Sequence, residues 1–298
     1  MWSGIIVVNK EAGYTSHDVV ARMRGIFGQK KIGHTGTLDP DATGVLPVCL
    51  GTATRLCDML TNKDKEYVAG LLLGLTTDTQ DMTGRELSRS EAIVSEEELA
   101  KAVFEFQGEY RQIPPMYSAL KVNGKKLYEL AREGREVERK ARTVWIREIE
   151  ILECRPPEAV LRVVCSKGTY IRTLCADIGD RLGCGGVMKS LKRIRSGDFS
   201  LDSAFTLSRL EELRDQGRLE EALIPVDSVF LSEPALHTES EGTRLLENGN
   251  ALKPSQTKEK KIYESGRWVR MYRENGSFAG IYTYDEERRR YRPVKMFL

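Results

Sequence analysis

The sequence predicts an α+β protein: a mixed, largely antiparallel central sheet with flanking helices, followed by a small all-β module. Three observations point there. Capped helical patterns are interspersed with strand-like runs through most of the chain. Two strand patterns, Thr143–Glu153 and Ala159–Ser166, meet across Pro156-Pro157, as an antiparallel pair would. Beyond Phe230–Pro234 the pattern changes to short strands and turns. A chain of 298 residues has room for two domains, here 1–232 and 233–298.

A strand pattern opens the chain at Gly4–Asn9. The spacing of Val19, Val20, Met23 and Phe27 predicts a helix over Ser16–Phe27, with Thr15 and Ser16 as caps and Gly28 as its stop. Residues 29–47, rich in Gly, Pro and Asp, are expected to form a loop. Glu66–Thr76 reads as a strand with one buried face. Ser95-Glu96-Glu97-Glu98 is a capping box that starts a helix to about Gln107. Segment 111–147, with Pro114-Pro115 and Asn123-Gly124, is expected to be an inserted lobe carrying a short helix near Lys126–Glu133. A helix is expected over Thr169–Leu182, with Ile171, Leu174, Cys175, Ile178 and Leu182 inward and Gly183 at its end. Thr206–Gln216 reads as another capped helix. In the tail, Trp268–Arg273, the Asn275-Gly276 turn and Phe278–Tyr284 predict a hairpin, and Arg292–Phe297 a closing strand.

Apolar residues make up 40% of the chain and charged residues 30%, the balance of a globular protein. No apolar run approaches the roughly 18 residues of a membrane span. The N-terminus enters strand-like Gly4–Val8 without a secretory pattern, so a cytoplasmic protein is expected. The six cysteines form no C-x-x-C pair and are expected to be reduced and buried. Net charge is only +2, but its distribution is uneven. Segment 111–147 holds ten Lys/Arg against four Glu, a net of +6. A second cluster is Lys189, Lys192, Arg193 and Arg195. Segregation of this kind suits a phosphate backbone; for an isolated charge run, a solvated helix surface is the more common explanation.

Two segments concentrate possible chemistry. Gly33-His34-Thr35-Gly36-Thr37-Leu38-Asp39-Pro40-Asp41-Ala42-Thr43-Gly44 has three glycines that permit close backbone approach, and Pro40 restricts Asp39 to an extended conformation. Such a loop can present one carboxylate rigidly, although a lone Asp-Pro more often caps a turn. Ser166-Lys167-Gly168-Thr169-Tyr170-Ile171-Arg172 joins a buried strand to a helix and places Arg172 near the helix start. There it can pair with a carboxylate from another loop, keeping it ionised and oriented, or form a purely structural ion pair. A Walker-type phosphate loop is absent, His17, His34 and His237 share no metal-ligand spacing, and no G-x-S-x-G is present. No metal or other cofactor is expected.

The motifs continue in order along the chain. Lys10-Glu11-Ala12-Gly13-Tyr14-Thr15-Ser16, Lys65-Glu66-Tyr67, Thr77-Asp78-Thr79-Gln80-Asp81-Met82-Thr83-Gly84, Pro114-Pro115-Met116-Tyr117-Ser118-Ala119-Leu120-Lys121 and Leu191-Lys192-Arg193 accompany the two segments above. As a set they resemble the TruB family of pseudouridine synthases over about residues 1–230, and the tail resembles, more loosely, that family's PUA-type RNA-binding module. One departure is Glu11, where the family usually has proline.

The resemblance implies the pseudouridine synthase fold and isomerisation of uridine 55 in the T-arm loop of tRNA. It implies Asp39 as catalytic residue, attacking the flipped uridine or taking a proton from its ribose, with Arg172 as its partner. Tyr67 would stack on the base and act in proton transfer at C5. Tyr170 and Leu191 would line the pocket, and Lys10, Gly36 and Lys121 would contact substrate. His34 would occupy the space the base leaves, or simply hydrogen-bond its own loop. Base extrusion is required because the glycosidic bond is shielded in a stacked loop. The basic lobe would close on the RNA, with Tyr117 and Tyr128 adding stacking. A monomer needing no protein partner is expected. The rivals are a non-catalytic RNA-folding factor, a guide-dependent synthase of the H/ACA type, and catalysis by Asp78 or Asp81 instead of Asp39.

Overall fold

The structure is a computed structural model describing residues 1–298. It opens with β1 (Gly4–Lys10) and α1 (Ser16–Phe27), the helix having the bounds the spacing predicts. Thr15 and Asp18 cap α1 reciprocally, and Gly28 ends it in the left-handed conformation. The loop expected over 29–47 is corrected: it contains β2 (Ile32–His34) and the start of β3 (Thr43–Leu50). β3 runs antiparallel to both β1 and β2, and Val45–Leu50 is buried throughout. Burial on both faces overrides the Gly and Pro content that suggested a loop.

After α2 (Cys57–Thr61) comes β4 (Lys65–Leu73), buried on both faces rather than one. The strand expected to reach Thr76 breaks at Gly74, whose φ is 84°. The chain leaves the sheet there into a hairpin of β5 (Leu75–Thr77) and β6 (Glu86–Arg89). Helix α3 (Glu96–Phe104) has the expected Ser95–Glu98 capping box and stops short of Gln107. β7 (Gly108–Gln112) then leads into the lobe. The lobe holds a two-residue hairpin, β8 (Lys121–Val122) and β9 (Lys125–Lys126), and α4 (Leu127–Arg132). Its own small core is Met116, Leu127 and Leu130.

β10 (Arg142–Arg155) and β11 (Glu158–Cys165) form the expected antiparallel pair. α5 (Ile171–Arg181) begins just after Tyr170. The sequence reading assigned no element to β12 (Gly186–Ser196), yet it lies inside the sheet. Lys189, Ser190, Lys192 and Arg195 interrupt its apolar pattern, and only its neighbours β3 and β4 make it a strand. β13 (Phe199–Ser200) extends it, and α6 (Leu207–Asp215) follows with Thr206 as cap.

The sheet order is β1-β3-β12-β4-β11-β10-β7, with β2 on β3 and β13 on β12. Every pairing is antiparallel except β3 with β12, where Thr43 faces Lys192 and Gly44 faces Arg193. This single parallel contact joins the two halves of the sheet. α5 packs beside β12, and Ile171, Leu174, Cys175 and Ile178 share a core with Tyr67, Ala69, Leu71, Leu161 and Val163. α1 and α6 cover the face of β1 and β3 that carries Ile6, Val8, Leu46 and Val48. On the opposite face, Ile5, Val7, Val45 and Cys49 meet Phe230 and the tail residues Ile281 and Phe297.

The tail is a four-stranded sheet, β14 (Ala235–His237), β15 (Trp268–Tyr272), β16 (Phe278–Asp285) and β17 (Arg290–Met296), in that spatial order. The expected hairpin and closing strand are its last three strands. One helix, α7 (Ser240–Glu247), accompanies the sheet and inserts Leu246 beside Leu236, Val269 and Tyr282. No helix is long and apolar enough to cross a membrane.

Gly44 shows how tight the parallel contact is. Its φ is 102°, and a Cβ there would lie 2.1 Å from the Arg193 carbonyl oxygen. Gly44→Ala therefore meets both backbone strain and a backbone clash. The expected outcome is a loss of about 3 kcal/mol or more in urea unfolding, the range of severe packing defects.

Candidate active site

The site forms where the loop between β2 and β3 meets the start of α5. Three groups from the N-terminal segment hold that loop from beneath. Ser16 Oγ accepts from Leu38 N at 2.9 Å and donates to Leu38 O at 3.3 Å. Lys10 Nζ donates to Pro40 O at 2.7 Å, and Gly13 N donates to the same oxygen at 3.0 Å. Leu38 itself is buried in the main core. The residues on either side of Asp39 are thus fixed, and Ala42 N donates to the Asp39 carbonyl at 3.1 Å.

Lys10 also donates to Glu11 O at 3.0 Å and Tyr14 O at 2.6 Å and is fully buried. Its three N–H groups are spent on protein carbonyls, so the structure places it under the loop and not on an open surface. Burial lowers its pKa to about 8, against the opposing charges of Asp41 and Asp39. Glu11 stands at the family proline position, and the contact it makes here is through its backbone carbonyl.

Arg172, 5% exposed, pairs with Asp39 through two nitrogens: Nε to Oδ2 at 2.9 Å and Nη2 to Oδ1 at 3.3 Å. Its other donors reach Thr79 O at 3.0 Å and Tyr117 O at 2.8 Å, and Asp81 Oδ2 lies 3.7 Å from Nη1. One guanidinium therefore ties Asp39 to both the β5–β6 turn and the basic lobe. The Asp39 side chain remains 38% exposed. Burial pushes its carboxyl above the ordinary 3.8; Arg172 pulls it down, and Asp81 pushes it up.

The two other candidate carboxylates are engaged locally. Asp81 Oδ1 accepts from Thr79 Oγ1 and Thr83 Oγ1, both at 2.6 Å, and from Thr83 N at 3.0 Å. Asp78 Oδ1 accepts from Arg85 N at 2.8 Å. Both serve the β5–β6 turn.

Tyr67 projects from β4 and is 9% exposed; burial raises its hydroxyl pKa. Tyr170 is the residue before α5, clamped by Gln112, which donates to its carbonyl at 2.9 Å and accepts from its N–H at 2.8 Å. Leu191, half-buried on β12, packs against the cluster containing Tyr67. His34 accepts from Gly36 N through Nδ1 at 3.3 Å and meets the His17 ring edge-on at 5.4 Å. Burial lowers its pKa, which favours the neutral ring. Gly36 has φ 145° and its carbonyl accepts from Arg193 Nη2 at 3.3 Å. Lys121 lies apart from this centre, exposed on β8 in the lobe.

Ser16, Gln112 and Arg193 are site residues that sequence reasoning did not assign. Ser16 was legible only as a helix cap. Arg193 was counted in a basic surface cluster, and that expectation is corrected: Arg193 is 1% exposed, Arg195 pairs with Glu66 at 2.7 Å and Lys189 with Glu158 at 2.6 Å. In the lobe, Lys126 and Arg132 flank the Tyr128 ring at 5.3 and 5.4 Å, while Arg135 and Lys125 lie near Glu133.

Solved structures share this architecture. An H/ACA RNP bound to a substrate RNA containing 2′-deoxyuridine contains a chain with TM-score 0.71 and 26% identity, covering 99% of this chain and 85% of that one. A Cbf5-Nop10-Gar1 complex gives 0.71 and 27% over the same shares. Fold and site together define a pseudouridine synthase, an isomerase. Residues 24–171 match the TruB family pseudouridylate synthase N-terminal domain, and 172–231 the tRNA pseudouridylate synthase B C-terminal domain. The tRNA pseudouridine synthase B of Lachnoclostridium phytofermentans is 52% identical over 306 residues, spanning 99% of this chain and 100% of that protein. That of Alkaliphilus oremlandii is 49% identical over 250 residues, 84% of this chain and 83% of its own. The chain belongs to the TruB family.

Two outcomes are expected. Ser16→Ala removes both bonds to Leu38, so it should cost about 1–2 kcal/mol in urea unfolding. It should also lower the single-turnover rate roughly 10-fold by loosening Asp39. Chemistry needing ionised Asp39 slows as that group protonates. Its pKa is raised above 3.8, so the acid limb of a single-turnover pH profile should lie above pH 3.8.

Proposed function

We propose that this enzyme converts uridine 55 in the T-arm loop of tRNA to pseudouridine, acting as a monomer in the cytoplasm without a guide RNA or protein partner. The observation that carries the proposal is Asp39, held by two nitrogens of Arg172 and still 38% exposed. That arrangement suits a carboxylate that must reach an extruded nucleoside while keeping one orientation. Asp39 acts either as nucleophile toward the flipped uridine or as base toward its ribose. Tyr67 stacks on the base and moves the proton at C5; Tyr170 and Leu191 shape the pocket. Lys10 and Gly36 support the loop that meets the nucleotide, His34 occupies the space it vacates, and Lys121 meets the phosphate backbone. No metal or other cofactor takes part.

Residues 1–232 form the catalytic domain in this reading and 233–298 a PUA-like RNA-binding module. The two separate sheets support that division. The lobe at 111–147 closes on the T arm, and the Arg172 bond to Tyr117 O couples its position to Asp39. Unstacking the base costs a few kcal/mol, which phosphate contacts along the lobe offset. Identity of up to 52% to relatives named tRNA pseudouridine synthase B favours this reading over a guide-dependent enzyme.

The test is purified protein alone with an unmodified T-arm hairpin, read by tritium release or mass spectrometry of the nucleosides. Wild type should isomerise the single loop uridine, and Asp39→Asn should lower the rate by at least about 10³-fold with hairpin binding intact. Activity only with added factors would favour the guide-dependent class. An Asp39→Asn variant as fast as wild type would move catalysis elsewhere, with Asp81→Asn and Asp78→Asn the next variants to assay.

A further inference from the structure

Arg193 is 1% exposed, and no Asp or Glu pairs with it. Its Nε donates to Val45 O at 2.7 Å and its Nη2 to Gly36 O at 3.3 Å. Its charge bears on Lys10 on β1, His34 on β2, Lys65 and Tyr67 on β4, and Cys165 on β11. None of them is an anion at neutral pH: burial pushes both the Tyr67 hydroxyl and the Cys165 thiol up, the latter to about 12. A buried guanidinium without a carboxylate partner is expensive even after relaxation. Carbonyl bonds alone are achievable with a neutral donor, so the charge itself needs a reason.

Tyr67 supplies one. It stands directly across the β12–β4 ladder from Arg193, and the Arg193 charge bears on its hydroxyl. Guanidinium nitrogens only donate, so on the side toward Arg193 the phenol oxygen can only accept, and its own proton turns away from that charge. We propose that Arg193 is a positioning residue for the isomerisation that works through Tyr67, directing the phenol proton toward the bound base and supplying positive charge behind it. In the reaction the N1–C1′ bond breaks with its electron pair on the base. A C5–C1′ bond forms from the C5 side, C5 loses its proton and N1 gains one; nothing is oxidised or reduced. The detached base is negatively charged between those steps, and a fixed phenol donor backed by a cation steadies it. This inference rests on the function proposed above.

The experiment is a double-mutant cycle of Arg193→Met and Tyr67→Phe, read as single-turnover conversion of the T-arm hairpin with enzyme in excess. Arg193→Met should lose on the order of 100-fold in rate, the usual share of a positioned proton donor. Hairpin affinity should stay within about 2-fold, because the residue touches no RNA. The double variant should be no slower than the slower single one, and Arg193→Lys should recover part of the rate. Losses that multiply overturn the proposal, as does a folded Arg193→Met protein reacting at the wild-type rate. If Arg193→Met does not fold by circular dichroism, Arg193→Lys takes its place in the cycle. The same coupling is then required, and multiplying losses again overturn it. A wild-type protein inert on the hairpin refutes the functional reading and this inference with it; an active wild type with uncoupled variants refutes this inference alone.

Discussion

Arg172 reaches Asp39 with two nitrogens and spends its remaining donors on the carbonyls of Thr79 and Tyr117. The arrangement resolves a conflict that any carboxylate site in a closed pocket faces. Burial disfavours the charged form, and pairing favours it. Here burial has the larger effect on Asp39, so its carboxyl sits above the ordinary range while the guanidinium limits the rise. The pairing also sets direction, since two parallel bonds restrain the carboxylate plane where one would leave it free to rotate.

That geometry requires the loop and the helix start to be placed independently and rigidly. The loop is held by Ser16 at Leu38 and by Lys10 and Gly13 at Pro40. The helix start is held by Gln112, which binds both backbone groups of Tyr170. Between them lies β12, whose parallel contact with β3 brings Gly44 against Arg193. Polar braces of this kind are costly inside a protein unless every donor is used. Lys10 illustrates the condition, with its ammonium wholly buried and bonded to three carbonyls.

The candidate site sits over the middle of a large sheet, at β3, β12 and β4, and the sheet's two faces do different work. α1 and α6 seal one face of β1 and β3, and the tail sheet covers the other through Ile281 and Phe297. The lobe has its own three-residue core and touches the centre through Tyr117. A segment with so little core of its own can shift as a unit.

Much of this protein was determined by local sequence. α1, α6, the β10–β11 pair and the tail hairpin follow from caps, turns and periodicity that act within a few residues. Asp39 and Arg172 were legible because a glycine-rich loop and a strand-to-helix junction restrict the backbone locally. What tertiary structure alone decided are the features whose cause lies far along the chain. β3 reads as a loop until β1 and β2 pair with it, and β12 reads as a basic surface segment until β3 and β4 enclose it. The same enclosure turned Arg193 from a surface charge into a buried one, and Pro40, distant in sequence, helps bury Lys10 beneath the loop. A side chain's charge is written in its residue type; whether that charge meets water, RNA or a carbonyl depends on which distant strand lies beside it.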